Sequence, residues 1–285
     1  MSERFTPEEQ FLRDQAAQAI REFRERERRH GHEKKRDLTY GRGIVEYTDI
    51  LMGLQHFISY VRSLSFGKVK MLDIGAGHGK AMGELENIED LSYNLEIIGT
   101  TLTKNKKTER NLGNEKIILT PAETLKPIKD SEISGIISVH GVGHSKSPEL
   151  VADSIYRVLV PSGAFKTTYV DFENGEGWYK EFTEMHQRLI DRLTSLGFDV
   201  ALYKNPTKTL AGQDAIAVVL AAIKPPVVGI TAQKLLSLDF ADYEEQKEHL
   251  QSQVQKTDDD SEEPEELFDE EEDKEDLIRY IESQL

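Results

Sequence analysis

The sequence predicts an α/β fold: a doubly wound, seven-stranded, mostly parallel sheet, preceded by N-terminal helices and followed by an acidic, disordered C-terminal tail. Three observations predict it. Strand-like and helix-like segments alternate from Lys68 to Ala222, the pattern of a parallel sheet covered on both faces. An apolar run ending on an acid, Val69-Lys70-Met71-Leu72-Asp73-Ile74, runs into the glycine turn Gly75-Ala76-Gly77-His78-Gly79 with a helix after it. Such a turn suits a ligand lying across the carboxyl end of a parallel sheet, where backbone N–H groups and a helix terminus face it. The third observation is charge. The residues from Asp258 onward carry fifteen acids against Lys274 and Arg279, so of the formal −16 only about −3 belongs to the body.

Composition narrows the class. The absence of cysteine excludes disulfides, thiolate metal sites and cysteine nucleophiles. MSERFTPEEQ lacks the apolar core of a signal peptide. The longest apolar run, Ala215–Ile223, is too short to span a bilayer as a helix. The expectation is a soluble, cytoplasmic protein with no membrane segment. The eight histidines and scattered acids show no paired ligand spacing, so no metal site is expected.

In order along the chain, Thr6 and Pro7 begin a helix as cap and first residue. It runs to about Lys35, with Phe11, Ala16, Ile20 and Phe23 as a loose apolar stripe. Its arginines alternate with glutamates, and Glu22–Arg26 and Glu25–Arg29 are i,i+4 pairs. A solvated, self-paired face is favoured over a nucleic-acid arm. Asp37–Gly43 is a loop, with Tyr40 as a candidate substrate contact. Ile44–Ser65 reads as one helix with Ile50, Leu51, Leu54, Phe57, Ile58 and Val61 on one side.

The strands follow at Val69–Leu72, Leu95–Gly99, Lys116–Leu119, Ile133–Val139, Ala164–Val170, Phe198–Tyr203 and Ala215–Ala222. Between them lie helices starting at Lys80 and spanning Thr103–Leu112, Pro148–Leu159 and Gly177–Leu196, the last ended by Gly197. The final two strands are close in sequence and suit antiparallel pairing. Pro225-Pro226 ends the core, and Thr231–Leu238 and Tyr243–Val254 read as helices outside it. The carboxylate run after Thr257 does not fold alone. Leu277–Leu285 has apolar residues at helical spacing, either a short docking helix for a protein partner or a frayed end.

Three segments together carry a family resemblance over about Tyr40 to Pro225. They are LDIGAGHG at Leu72–Gly79, RVLVPSGAF at Arg157–Phe165 and LTSLGFDV at Leu193–Val200. In order and spacing the chain resembles the class I S-adenosylmethionine-dependent methyltransferases of the small-molecule type, with a Rossmann-like domain. The chain thus divides into a helical cap over 1–66, a domain over 67–225 that the resemblance implies binds the cofactor, C-terminal helices over 226–256 and an acidic tail over 257–285. The resemblance implies S-adenosylmethionine as cofactor and methyl transfer to an unidentified small-molecule acceptor. The alternative is a catalytically degenerate, methyltransferase-like binding module that meets a partner protein through the tail.

By position, the resemblance implies that Gly75, Ala76, Gly77 and Gly79 lie against the methionine part of the cofactor and that Asp73 orients its ammonium group. Ile137–Gly141 lies below the sulfonium. Two positions depart from the family. Thr101 stands where an acid usually takes both ribose hydroxyls, and Pro121-Ala122-Glu123 replaces an Asp-Ala-Glu stretch at the adenine. Glu123 or Thr103 is available to compensate.

For catalysis, His140 and His144 follow the fourth strand in Val139-His140-Gly141-Val142-Gly143-His144, where a base near neutrality could reach an acceptor. His140 also borders the cofactor. The plain alternative for either is a loop histidine bonded to backbone. Trp178 and Tyr179 open the helix after the fifth strand, either stacking on an aromatic or cationic acceptor or packing at the rim.

Overall fold

The computed structural model describes residues 42–102, 116–139, 141–145, 147–171, 178–208 and 214–259. Their strands are β1 (Val69–Ile74), β2 (Leu95–Thr101), β3 (Ile117–Leu119), β4 (Ile133–Val139), β5 (Leu159–Asp171), β6 (Asp199–Lys208) and β7 (Asp214–Ile223). The helices are α1 (Ile44–Ile50), α2 (Gln55–Ser63), α3 (Lys80–Glu86), α4 (Glu89–Ser92), α5 (Pro148–Val158), α6 (Trp178–Ser195), α7 (Ala232–Ala241) and α8 (Tyr243–Asp259). The helices expected before Lys35 and over Thr103–Leu112, and the tail beyond Asp259, lie outside the described residues.

One seven-stranded sheet runs in the order β3-β2-β1-β4-β5-β7-β6. The pairs among β1 to β5 are parallel, and β7 runs antiparallel to both β5 and β6. The fold class, and the antiparallel end of the sheet, are as the alternating pattern predicts. The chain builds outward from β1 to β3 and then returns to place β4 on the other side of β1. The carboxyl ends of β1 and β4 therefore form the switch point of the sheet, where ligands bind in such folds.

Strand alternation divides the core into two layers. Met71, Ile97, Ile137 and Val139 face α1, α2, α3, α7 and α8. Leu72, Ile74, Ile136, Phe165 and Leu220 face α5 and α6. Asp73 alternates with Leu72 and Ile74 and so points to the first layer, toward α1.

Two expectations change. The helix read as Ile44–Ser65 is broken into α1 and α2 at Met52 (φ 52°) and Gly53 (φ 98°). A Cβ on Gly53 would stand 2.5 Å from the Asp239 carbonyl oxygen, so neither the backbone angle nor the space admits a side chain there. The break lets the Gly53 carbonyl accept from the buried Lys166 ammonium at 2.7 Å. The helices read as lying outside the core are packed into it: Ala232, Leu235, Leu236 and Leu250 join the first layer. From α7, Asp239 Oδ1 accepts from the His56 N–H at 2.9 Å. From α8, Gln246 Oε1 accepts from the Leu54 and Gln55 N–H groups at 2.9 and 3.0 Å. These distant side chains satisfy donors that the start of α2 leaves unpaired.

Candidate functional site

The turn at the switch point starts from β2. The Thr100 carbonyl accepts from the Ala76 N–H at 2.8 Å, and Thr100 Oγ1 accepts from the Gly75 N–H at 3.2 Å. The Gly79 N–H donates to the Ala76 carbonyl at 2.9 Å. The turn's glycines all lie in the left-handed region, with φ of 79° at Gly75, 58° at Gly77 and 72° at Gly79. Gly75 is exposed, while Ala76, His78 and Gly79 are buried. The expected array of ligand-facing N–H groups is thus reduced, since those of Gly75, Ala76 and Gly79 are engaged inside the protein. What the turn offers instead is the bare backbone of Gly75.

The loop after β4 closes against it. A Cβ on Gly75 would stand 2.9 Å from Gly141 Cα, and one on Gly141 would overlap the Ile74 carbonyl and lie 2.8 Å from Ser138 Oγ. Ser138 joins the two loops by donating to the Ile74 carbonyl at 2.8 Å and accepting from the Val142 N–H at 3.1 Å. Gly141→Ala is accordingly expected to cost about 1–3 kcal/mol in urea denaturation, as overpacking against backbone does. A cost below 0.5 kcal/mol, roughly the scatter of neutral surface changes, would mean that the loops do not meet.

Asp73 is fully buried at the end of β1. Its Oδ2 accepts from the Tyr47 hydroxyl of α1 at 2.8 Å, and its Oδ1 has no hydrogen-bond partner among the described residues. Burial pushes its pKa from the ordinary carboxylate range up to about 7, against the opposing effect of the Tyr47 hydrogen bond. The phenol of Tyr47 is itself held well above its usual value, by burial first and then by Asp73. A second anchor holds α1 over the turn. Glu84 of α3 accepts from the Ile44 N–H at 2.6 Å, and Glu46 accepts from the Gly43 N–H at 3.2 Å.

The remaining expected residues fall as follows. Thr101 is the last residue of β2 and is buried. Ala122 packs on the second core layer. Glu123 Oε1 accepts from the Ser145 hydroxyl at 2.6 Å, and the Glu123 carbonyl accepts from Ser154 at 2.7 Å. This ties the segment after β3 to the segment after β4 and leaves one carboxylate oxygen beyond the Ser145 bond. His144 ends a short 3-10 turn, Val142–His144, after β4. Trp178 and Tyr179 open α6. Tyr40 and His140 lie outside the described residues. Among the described residues no group of histidines and acids could hold a metal ion, and no helix is long and apolar enough to cross a membrane.

The sequence reading missed Tyr47, Thr100 and Ser138. Tyr47 carried a usable signal: it sits four residues before Leu51, on the apolar side of its helix, where a buried phenol needs a partner. Thr100 and Ser138 each adjoin the end of a strand, and nothing local marks them.

Residues 72–166 match the family model described as a methyltransferase domain. No protein of curated function matches the sequence. Among solved structures, the chain is similar to Haemonchus contortus phosphoethanolamine N-methyltransferase 2 in complex with S-adenosyl-L-methionine. That likeness has 15% identity and a TM-score of 0.45, over 62% of this chain and 57% of that one. It is also similar to a possible histamine N-methyltransferase from Thermotoga maritima, at 17% identity and a TM-score of 0.40, over 63% and 91%. The chain spans little more than half the length of the Haemonchus protein. The segment that matches a methyltransferase domain, residues 72–166, thus runs from the glycine turn at the switch point through β5 of a seven-stranded, mostly parallel, Rossmann-like sheet.

Proposed function

We propose that this chain transfers the methyl group of S-adenosylmethionine to a small-molecule acceptor. One observation carries the reading: a fully buried carboxylate with an unpaired oxygen, Asp73, stands beside the exposed left-handed Gly75 at the switch point of the sheet. An unpaired buried polar atom is costly unless a ligand completes it. An ammonium group is a matching partner for a carboxylate, and a bare glycine permits the close approach that a side chain would block.

In this reading Asp73 takes the ammonium group, and Gly75, Ala76, Gly77 and Gly79 bound the methionine part. Thr101 meets the ribose, and Ala122 and Glu123 border the adenine. The cofactor supplies an activated methyl group, so the protein's task is mainly alignment. His140 and His144 are the candidate bases, and Tyr40, Trp178 and Tyr179 the candidate substrate contacts, all read from sequence position.

Titration calorimetry with S-adenosylmethionine and S-adenosylhomocysteine tests the reading. Saturable heat and a rise in Tm are expected, because a ligand that binds only the folded state stabilises it. No heat and no rise at millimolar ligand would end the proposal. Thr101→Asp is expected to tighten S-adenosylhomocysteine about tenfold, the equivalent of about 1.4 kcal/mol from one added charge-assisted hydrogen bond. An unchanged or weaker Kd would mean that position 101 does not face the ribose.

A further inference from the structure

The Tyr47–Asp73 pair has a feature that the glycine turn does not explain. Tyr47 reaches Asp73 from a helix 26 residues earlier in the chain and occupies only Oδ2, leaving Oδ1 buried and unpartnered. A lone carboxylate without a cationic neighbour resists ionisation when it is taken out of water. Among the described residues, Tyr47 is the titratable group that acts on Asp73. Arg42 and Glu46 act on the Tyr47 phenol with opposite signs. The strands on either side of Asp73 present Gly99 and Ile137 at its level, and Thr100 beside them, so they bring no charge.

Resting on the reading that S-adenosylmethionine is the cofactor, we propose that binding of its ammonium group at Asp73 is coupled to the release of one proton, with Tyr47 as the positioning residue that sets the pH of the change. In the free protein the Asp73 carboxyl keeps its proton. When a cation docks, the O–H bond breaks, the proton leaves to solvent, and the carboxylate accepts from both the ammonium and the Tyr47 hydroxyl. The ammonium keeps its own protons, so charge and protons balance. Burial that pushes Asp73 up to about 7 puts the change near neutral pH.

The test is calorimetry of the full chain with S-adenosylhomocysteine, in buffers of differing ionisation enthalpy, at pH 6, 7 and 8. Close to one proton released per ligand is expected at pH 6, about half at pH 7 and little at pH 8. Below pH 7 affinity should improve about tenfold for each unit that the pH rises, following the fraction of ionised Asp73. Methylthioadenosine, which lacks the amino-acid part, should bind without proton release. Tyr47→Phe removes the hydrogen bond that favours the ionised form, so the bend in the affinity curve should move to higher pH; a packing role alone would leave it in place. Carboxyl-labelled aspartate NMR of the unliganded protein, with Asp73→Asn for assignment, should show one aspartate titrating near 7. Heat independent of buffer, or equal proton release by methylthioadenosine, overturns the proposal while the cofactor reading stands. Complete absence of binding removes the cofactor reading itself, and an aspartate set titrating wholly below 5 overturns the proton linkage on its own.

Discussion

Asp73→Asn is expected to make the unliganded protein more stable at pH 8 while removing measurable S-adenosylhomocysteine binding. The sign follows from linkage. The folded state holds the Asp73 proton up to about pH 7, whereas the unfolded chain releases it at the ordinary value near 3.8. Below pH 4 both states are protonated and the cost is absent. Between about pH 4 and 7 the unfolded state is progressively favoured, and above 7 the cost is fully present. Three units correspond to roughly 4 kcal/mol. At roughly 2–4 °C per kcal/mol for a domain of this size, the variant should melt about 8–16 °C above the wild type at pH 8, with the gap closing toward pH 4. Thermal denaturation across pH checks it. A variant less stable than the wild type at pH 8 would show that the carboxylate is ionised and paired in the free protein. The exchange of stability for binding is the signature of a site built for an absent cation.

The second large effect is structural. Asp239→Ala is expected to cost about 3–5 kcal/mol in urea denaturation. Lys166 and Asp239 are both fully buried, with Nζ 2.7 Å from Oδ2. Burial lowers the Lys166 pKa and Asp239 opposes that shift, so removing the acid leaves the ammonium with the Gly53 carbonyl as its remaining partner among the described residues. It also strips the acceptor from the His56 and Phe57 N–H groups at the start of α2. Lys166→Met should cost less, since Asp239 keeps those two donors. The double variant Lys166→Met/Asp239→Leu should be more stable than Asp239→Ala alone, because no charge is left stranded. A cost below 1 kcal/mol for Asp239→Ala would contradict the buried pair. The matched segment ends at residue 166, yet the partner that neutralises this lysine lies on α7, so the C-terminal helices belong to the same core.

Much of this was legible before the structure. The alternation of apolar runs placed all seven strands, because each strand's own residues carry its period. The turn at Gly75–Gly79 and its acid Asp73 were legible because the positive φ values leave glycine as the natural choice. The break at Met52-Gly53 was not: the stripe from Ile50 to Val61 is continuous, and the interruption is imposed by Lys166 and Asp239, remote in sequence. The docking of α7 and α8 was hidden for the same reason, since Gln246 makes its contacts with residues near position 54. At the site, sequence named Asp73 but not Tyr47. The weakened acidity of the pair arises from burial, which only packing creates.

The central claim is that Asp73 and the bare turn beside it hold the cofactor's amino-acid end. A crystal structure of the full chain with S-adenosylhomocysteine tests this most directly. The account predicts the ammonium nitrogen about 3 Å from an Asp73 carboxylate oxygen, as a charge-assisted hydrogen bond requires, with the ligand's amino-acid portion against Gly75. A ligand bound elsewhere, or bound here while Asp73 still contacts Tyr47 alone, would contradict it.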